Sequence, residues 1–244
     1  MLFKITSFLD CYIYLQLHYA ELDWVIKKTA KGHFMIGVLT GDIVDSTKMS
    51  PADHQATIEM FKYSIQYFTQ HFAASGEIYR GDSVQISFKQ PQYAMKSAVL
   101  LKMFLLQSKE TSKPIVVTLA LGLGEASVLG ATPGVSQGSA FIYSGRGLDN
   151  ASRGDLTLHA ESSQLQEKLG LATKFLNHLL SSLTRKQAKV LYYYVLLNYP
   201  THQKLADRLQ TSQQNVTKHL SRIGASLVEE YLLFFEQQII QGNG

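Results

Sequence analysis

Two features of the sequence predict an α+β fold, with a ferredoxin-like antiparallel sheet followed by an all-α C-terminal module. The first is the order of apolar patterns between residues 35 and 123, which reads as strand, helix, strand, strand, helix, strand. The second is a series of helical patterns after residue 160, separated by capping residues. In the β-α-β-β-α-β topology, two helices cover one face of the sheet.

The composition is that of a globular protein in a reducing compartment. Hydrophobic residues make up 45% of the 244, which excludes wholesale disorder. Cys11 is the only cysteine, so an internal disulfide and a cysteine-based zinc cluster are both excluded. No apolar run reaches the roughly 18 residues that a membrane span needs. We therefore expect a cytoplasmic protein with no membrane partner.

Residues 1–34 do not belong to the pattern that begins at Met35. Lys4 and the apolar run 12–17 imitate a secretory signal weakly, because Asp10 interrupts the apolar start. We expect Met35 to be the natural start, with 1–34 an over-extended reading frame or an accessory segment. Peptides from 1–34 in a mass spectrum of the native protein would refute this.

The elements of the first domain follow one another at short intervals. A buried strand from 35 to 40 ends at Gly41, and Ser50 then caps a helix with Pro51 at its first position and Asp53 at the capping-box position. We expect Gly76 to end this helix. Two strands, 77–80 and 83–88, form a hairpin, a second helix begins at residue 91, and further strands begin at residues 114 and 155. The first helix has one apolar face, formed by Ile58, Phe61, Ile65, Phe68 and Phe72.

Two turns each place an aspartate beside a glycine at the end of a strand. Asp42 follows the first strand, and Asp82 lies at the tip of the hairpin. Both turns lie at the same edge of this topology, so we expect Asp42 and Asp82 to be neighbours. Because Mg²⁺ takes one or two protein carboxylates together with substrate phosphates, the pair predicts a divalent cation site, with Asp45 as a third ligand. Alternatively, each aspartate only supports turn geometry.

The loop 43–47 after the first strand is the predicted phosphate-binding segment. It leads into a helix, so the backbone N–H groups of Ile43, Ser46 and Thr47 are expected to hold the phosphates of a nucleotide. The sequence therefore predicts a bound nucleotide with Mg²⁺ at this edge.

Four segments resemble the class III nucleotide cyclase domain. They are Gly-Asp-Ile-Val-Asp-Ser-Thr at 41–47, Arg-Gly-Asp-Ser-Val-Gln-Ile-Ser-Phe at 80–88, Leu-Gly-Leu-Gly-Glu at 121–125, and Gly-Ser-Ala-Phe-Ile-Tyr-Ser-Gly-Arg at 138–146. The resemblance covers about 35–223 and points to the SatD-like family, in which such a domain precedes a helix-turn-helix. It implies that Asp42 and Asp82 bind metal and that Arg146 occupies the position of a transition-state arginine.

Three positions depart from the cyclase pattern. Ile78 stands where cyclases usually have a substrate-contacting lysine, Ile142 stands where they have an asparagine, and Asp45 replaces a glycine. Losing such a donor at a phosphoryl site costs orders of magnitude in rate. We therefore expect nucleotide binding or sensing rather than cyclisation, unless Arg80 or Asn150 replaces the missing groups. Arg80 is accordingly counted, with Arg146, among the nucleotide-binding residues.

The basic residues are concentrated in the C-terminal third. Residues 35–164 carry ten Lys and Arg against eleven Asp and Glu, whereas 184–223 carry seven against Asp207 alone. Such a basic block suggests a polyanion partner, although a solvated helix face is the alternative. Within it, Thr201 and Ser212 cap two short helices on either side of a turn at 210–212, which is the spacing of a helix-turn-helix. Inward positions are Leu205, Ala206, Leu209, Val216, Leu220 and Ile223.

The outward face of the second short helix is the predicted DNA-reading surface. Gln213, Gln214, Thr217 and Lys218 lie near its start, where a recognition helix meets base edges. Phosphate contacts are expected from basic side chains around it, which carry affinity but no sequence information. These are Arg185, Lys186, Lys204, Arg208 and Arg222. A helical hairpin used only for packing is the alternative.

The sequence thus divides into an accessory segment (1–34), a cyclase-like domain (35–160), a connecting helix (161–183), a helix-turn-helix (184–223) and a last helix (224–244) that packs or dimerises. A homodimer would fit an operator with two half-sites. Our leading hypothesis is a DNA-binding regulator whose first domain binds a nucleotide with Mg²⁺. The rival is a metal-dependent nucleotidyl cyclase or phosphoryl-transfer enzyme regulated by the C-terminal module, and a third hypothesis is an interaction scaffold with neither ligand.

Overall fold

The computed structural model describes residues 35–242, except 80, 128, 129 and 131. The expectations for 1–34, and the assignment of Arg80, therefore lie outside the described residues. The strands are β1 (Met35–Ile43), β2 (Ala74–Tyr79), β3 (Ser83–Phe88), β4 (Val117–Glu125) and β5 (Leu156–Ala160). The α-helices are α1 (Pro51–Phe72), α2 (Ala94–Gln107), α3 (Ser139–Asn150), α4 (Ser163–Ser181), α5 (Arg185–Leu196), α6 (His202–Leu209), α7 (Gln213–Ile223) and α8 (Ala225–Gly242).

The five strands form one sheet in the order β2-β3-β1-β4-β5. The strands β1 to β4 pair with one another in antiparallel orientation, in the order that the β-α-β-β-α-β pattern predicts. β5 extends the sheet beside β4 and is parallel to it, which requires a crossover connection, and α3 lies in that connection. The α+β fold class is therefore confirmed.

The two predicted helices cover one face of the sheet. Alternate residues of the strands, such as Leu39 and Leu119, point to this face and lie in one core with Phe61 of α1 and Leu101 of α2. All four are fully buried. This face carries the larger part of the hydrophobic stabilisation, since burial of apolar area is the dominant favourable term in folding.

A third helix, α3, covers the opposite face, where Ile36 and Val38 of β1 meet Ala140. The approach is close because β4 presents glycine to the helix: a Cβ on Gly122 would overlap the backbone oxygen of Ala140. Gly147 of α3 likewise leaves room for the His159 ring of β5. The Leu-Gly-Leu-Gly segment of β4 thus alternates leucines toward α1 and α2 with glycines toward α3.

The end of the first helix and the place of Gly76 differ from the prediction, whereas the start of the helix agrees with it. The helix ends at Phe72 rather than near Gly76, because Ala73 adopts the left-handed conformation that commonly terminates a helix. Gly76 instead lies inside β2, packed against Ile65. The start is as predicted, since the Ser50 side chain accepts a hydrogen bond from the Asp53 N–H. The Asp53 carboxylate accepts from the N–H and hydroxyl of Ser112, so it holds the loop before β4.

The C-terminal helices continue the core of the sheet domain. α5 packs along α2, where the Phe104 and Tyr192 rings stack with centroids 5.4 Å apart. The predicted inward face of α8 includes Val228, Phe235 and Ile239, and these side chains are buried against other parts of the same chain. One contiguous cluster of buried side chains joins strands, α1 and α2 to α4–α8. No helix in the part of the chain that the structure describes is long and apolar enough to cross a membrane.

Candidate functional site

The two predicted aspartates converge on one hydroxyl group. Asp42 at the end of β1 lies opposite Ser83 of β3. The Ser83 Oγ donates to Asp42 Oδ1 at 3.0 Å and lies 3.5 Å from Asp82 Oδ1. The hairpin turn is held against β1 because the Ile43 N–H donates to the Asp82 carbonyl at 3.1 Å. Asp42 and Asp82 are therefore neighbours at one edge of the sheet, although forty residues separate them.

The donor set at this edge fits Mg²⁺. Both carboxylates are half-buried, and Ser46 Oγ donates to Asp82 Oδ2 at 2.9 Å, so hydroxyl groups on two sides orient this carboxylate. Among the described residues, no group of three or more His, Cys, Asp and Glu is clustered as metal ligands are. The protein would thus supply two carboxylates, and phosphate or water the remaining ligands.

Asp45 is separate from this pair. It adopts the left-handed conformation, with φ 59° and ψ 31°, and its Oδ1 lies 3.0 Å from Lys48 Nζ and contacts the Arg153 guanidinium. The hydrogen bond from Lys48, and then the one from Arg153, lowers the pKa of the Asp45 carboxyl. Because the described residues contain no cluster of three such ligands, the structure does not bring Asp45 together with Asp42 and Asp82 as a third metal ligand, and its carboxylate is held by two cations instead.

Lys48 and Arg153 were not found from the sequence. Lys48 follows Asp45 by three residues, a spacing that could have indicated an ion pair. Arg153 comes 108 residues after Asp45, on the turn between α3 and β5, and no local pattern connects them. That turn is positioned by the parallel pairing of β5 beside β4, whose direction the sequence did not predict.

The backbone donors of the loop are only partly free. The N–H groups of Ile43 and Val44 donate to the carbonyls of Asp82 and Val116, so the prediction that Ile43 holds a phosphate is wrong. The side chain of Ile43 is buried as well. By contrast, the N–H groups of Ser46 and Thr47 have no hydrogen-bond acceptor among the residues described. In the predicted phosphate-binding segment, the N–H groups without an acceptor among the described residues thus lie in the second half of the loop.

Arg146 lies on α3, on the same face of the sheet as Asp42. Thr40 Oγ1 donates to Ser144 Oγ at 3.0 Å, which places Thr40 toward α3, and Asp42 two residues later points the same way. The Arg146 side chain is exposed and forms no ion pair with any residue described. Ile142, one turn earlier in α3, is 52% exposed, so an apolar side chain faces solvent where the cyclase pattern has an amide.

The second candidate site lies on α6 and α7. The two helices are joined by the turn that starts at Gln210, which adopts the left-handed conformation with φ 53°. The Thr211 N–H donates to the Ala206 carbonyl at 3.0 Å, and the Ser212 side chain caps α7 by accepting from the Asn215 N–H. Leu205, Ala206 and Val216 are fully buried between the helices. The polar face of α7 is consequently turned to solvent.

Eight of the nine side chains predicted to contact DNA are exposed, namely Gln213, Gln214, Thr217, Lys218, Lys186, Lys204, Arg208 and Arg222. Two of them already have partners inside the chain. Thr217 Oγ1 is 2.8 Å from His202 Nδ1, and the Arg208 guanidinium lies over the Tyr193 ring, 5.0 Å from its centroid. These contacts orient both side chains without burying them.

Arg185 has a structural role instead of the predicted phosphate contact. Its guanidinium donates to the Thr111 carbonyl at 3.2 Å, and the residue is half-buried, with an Nε atom that has no hydrogen-bond partner among the described residues. Arg185 therefore fastens the start of α5 to the loop before β4. A side chain held in this way is not available to a phosphate backbone.

Comparison with known proteins gives low-level similarities to nucleotide cyclase domains. No family model and no curated protein sequence matches the chain. The dimeric guanylyl cyclase domain of the RhoGC fusion protein from the fungus Blastocladiella emersonii has 17% identity over 52% of this chain and 79% of its own, with a TM-score of 0.41. Adenylate cyclases of Trypanosoma brucei have 16% identity over 55% and 79%, with a TM-score of 0.41. The guanylate cyclase domain of Catenaria anguillulae in complex with GTP has 17% identity over 51% and 78%, with a TM-score of 0.39. Values this low say nothing about the reaction, ligand or partner of the present chain.

Proposed function

We propose that this protein is a DNA-binding regulator whose sheet domain binds a nucleotide together with Mg²⁺. The observation that carries the proposal is the position of α7. Its apolar side is buried against α6, and its polar side presents Gln213, Gln214, Thr217 and Lys218 to solvent. Glutamine amides suit the edge of adenine, and lysine suits guanine or phosphate.

The surrounding charges support a nucleic acid as the partner. Lys204, Arg208 and Arg222 are exposed on the same pair of helices, and the only acidic residue of 184–223, Asp207, is engaged by Gln203. A cationic surface of this kind binds phosphates regardless of sequence, while α7 supplies the contacts to bases. A homodimer belongs to the same proposal, since two copies would read two half-sites. Sedimentation equilibrium of the full chain measures the number of copies.

The proposed ligand of the sheet domain follows from its two carboxylates. Asp42 and Asp82 would hold Mg²⁺, and the ion would neutralise the phosphates of a nucleotide at the end of β1. Ser46 and Thr47 would donate backbone N–H groups to the same phosphates. Because Ile78 and Ile142 stand where cyclases have a lysine and an asparagine, binding without cyclisation is the expected behaviour.

The DNA-binding half is tested by a pair of triple-alanine variants of the full chain. One removes Gln213, Gln214 and Lys218 from α7, and the matched control removes Lys62, Gln66 and Gln70, which are exposed on α1. Binding to a pool of random duplexes, followed by sequencing of the bound fraction, should lose its base preference in the first variant alone. Equal binding and preference in both variants would refute this use of α7.

The nucleotide-binding half is tested by thermal unfolding with ATP, GTP and cyclic nucleotides, each with and without Mg²⁺. A ligand at about 100 times its dissociation constant adds about 2.7 kcal/mol to the free energy of unfolding. We expect this increase to depend on Mg²⁺ and to disappear in Asp42→Ala and Asp82→Ala. Product formation by the wild-type protein in the same samples would favour the rival hypothesis of an active cyclase.

A further inference from the structure

Asp45 holds two cations beside the proposed metal edge. Its Oδ1 lies 3.0 Å from Lys48 Nζ and contacts the guanidinium of Arg153. The next residue, Ser46, donates its hydroxyl to Asp82. The two cations are therefore held by the residue that directly precedes Ser46, whose hydroxyl contacts a proposed metal-binding carboxylate.

The turn that carries Arg153 is fixed from three sides. The Gly154 N–H donates to Thr118 Oγ1 at 2.9 Å, and the Gly154 carbonyl accepts from the buried Lys102 ammonium. The Asp155 carboxylate accepts from Asn177 of α4 at 2.8 Å. A turn bound to β4, α2 and α4 gives the guanidinium a defined position next to the loop, even though its end is exposed.

The donors in this cluster exceed its acceptors. A guanidinium has five N–H donors and an ammonium three, whereas one carboxylate oxygen receives both contacts. The cluster of Lys48, Arg153 and Asp45 carries a net positive charge, and its two cations have no other acidic partner among the residues that the structure describes. Arginine and lysine together suit a phosphate group, which offers more oxygens than one aspartate.

We propose that Lys48 and Arg153 form a subsite for the terminal phosphates of the bound nucleotide, and that Asp45 occupies this subsite in the ligand-free protein. Asp45 is then an internal competitor of the phosphate and not a metal ligand. Exposed ion pairs contribute little to stability, so a phosphate can displace the carboxylate at small cost. This inference rests on the proposed nucleotide site at Asp42 and Asp82.

The substitution Asp45→Asn distinguishes the two roles by the direction of its effect. Removing a competing negative charge should tighten binding of Mg²⁺-ATP, Mg²⁺-GTP and inorganic tripolyphosphate, by about three- to ten-fold. Removing a metal ligand would weaken Mg²⁺-dependent binding instead. Arg153→Gln and Lys48→Gln should each weaken binding of all three, by about ten-fold.

Isothermal titration of the full chain with these three probes provides the measurement. Lys62→Gln is the matched control, because Lys62 pairs with Glu59 at the same spacing of three residues, at 2.8 Å, on α1. The affinity of Lys62→Gln for each of the three probes should equal that of the wild type. Circular dichroism of each variant verifies that the fold is retained.

The outcomes separate this inference from the proposed function. Wild-type binding that requires Asp42 and Asp82, together with weaker binding by Asp45→Asn or unchanged binding by Arg153→Gln, would overturn the inference and leave the nucleotide site standing. No binding of any probe by the wild type and by Asp45→Asn would overturn the nucleotide site and the inference together.

Discussion

Lys102 of α2 donates a hydrogen bond from its buried ammonium to the backbone carbonyl of Gly154. The side chain is only 5% exposed, and it also donates to the Val117 carbonyl at 3.0 Å. One lysine thus joins α2, β4 and the turn that holds Arg153 beside Asp45. Burial lowers the pKa of Lys102 from 10.5 to about 8, and the nearby Asp155 charge offsets part of this effect.

This lowered pKa predicts a rise in stability at alkaline pH. Between about pH 8 and 10.5 the unfolded chain keeps the Lys102 proton and the folded chain releases it, so the free energy of unfolding increases with pH. The contribution is about 1.4 kcal/mol per pH unit inside that window. We expect denaturant titrations from pH 7 to 9.5 to show this slope as the difference between the wild type and Lys102→Met. Lys174→Met, at an exposed lysine of α4, should show no such difference.

The close contact between β4 and α3 gives a second prediction. Gly122→Ala should lower the free energy of unfolding by about 1–3 kcal/mol, because the added Cβ overlaps backbone atoms of Ala140 and Ser144 that cannot move independently. Gly145→Ala is the control within α3, since none of the described residues outside its own stretch of helix has an atom within 4 Å of the added Cβ. It should stabilise the protein by about 0.5–1 kcal/mol, because glycine is unfavourable inside a helix. Equal effects of the two changes in urea titrations would contradict the packing described for β4.

The order of the strands was predictable because the signals that define it are local. Alternating apolar residues identified the strands, and Gly81 and Asp82 identified the hairpin, so the meeting of Asp42 and Asp82 followed from topology alone. The helix caps at Ser50, Thr201 and Ser212 were likewise readable, because each side chain bonds a backbone N–H three residues later.

The contacts that were missed all depend on packing between distant segments. No pattern in the sequence links Arg153 to Asp45, or Arg185 to Thr111, because each pair is brought together by the helices and turns around it. The mistaken role of Ile43 has the same origin. Its N–H looked free at the end of a strand, but the hairpin turn supplies the Asp82 carbonyl as an acceptor.

The exposed cations of the α6–α7 surface predict a change in salt dependence. Lys204 and Arg222 are proposed phosphate contacts, and each such contact contributes close to one unit to the slope of log affinity against log salt. We expect the Lys204→Ala/Arg222→Ala double variant to bind all duplexes more weakly, with a slope reduced by about two and an unchanged base preference. Fluorescence anisotropy between about 50 and 200 mM salt measures the slope. The Lys62→Ala/Lys174→Ala double variant removes two exposed lysines elsewhere and should leave it unaltered.

Two adjacent phenylalanines of α8 provide the last prediction. Phe235 is fully buried in the core that α8 shares with the sheet domain, whereas Phe234 is 38% exposed. Phe235→Ala should therefore lower the free energy of unfolding by about 3–5 kcal/mol, and Phe234→Ala should lower it by less than about 1 kcal/mol. Because the core is continuous from the strands to α8, we expect calorimetry to show one unfolding transition that shifts as a whole in Phe235→Ala. A separate transition of the sheet domain, unshifted by the substitution, would instead show that the C-terminal helices unfold independently.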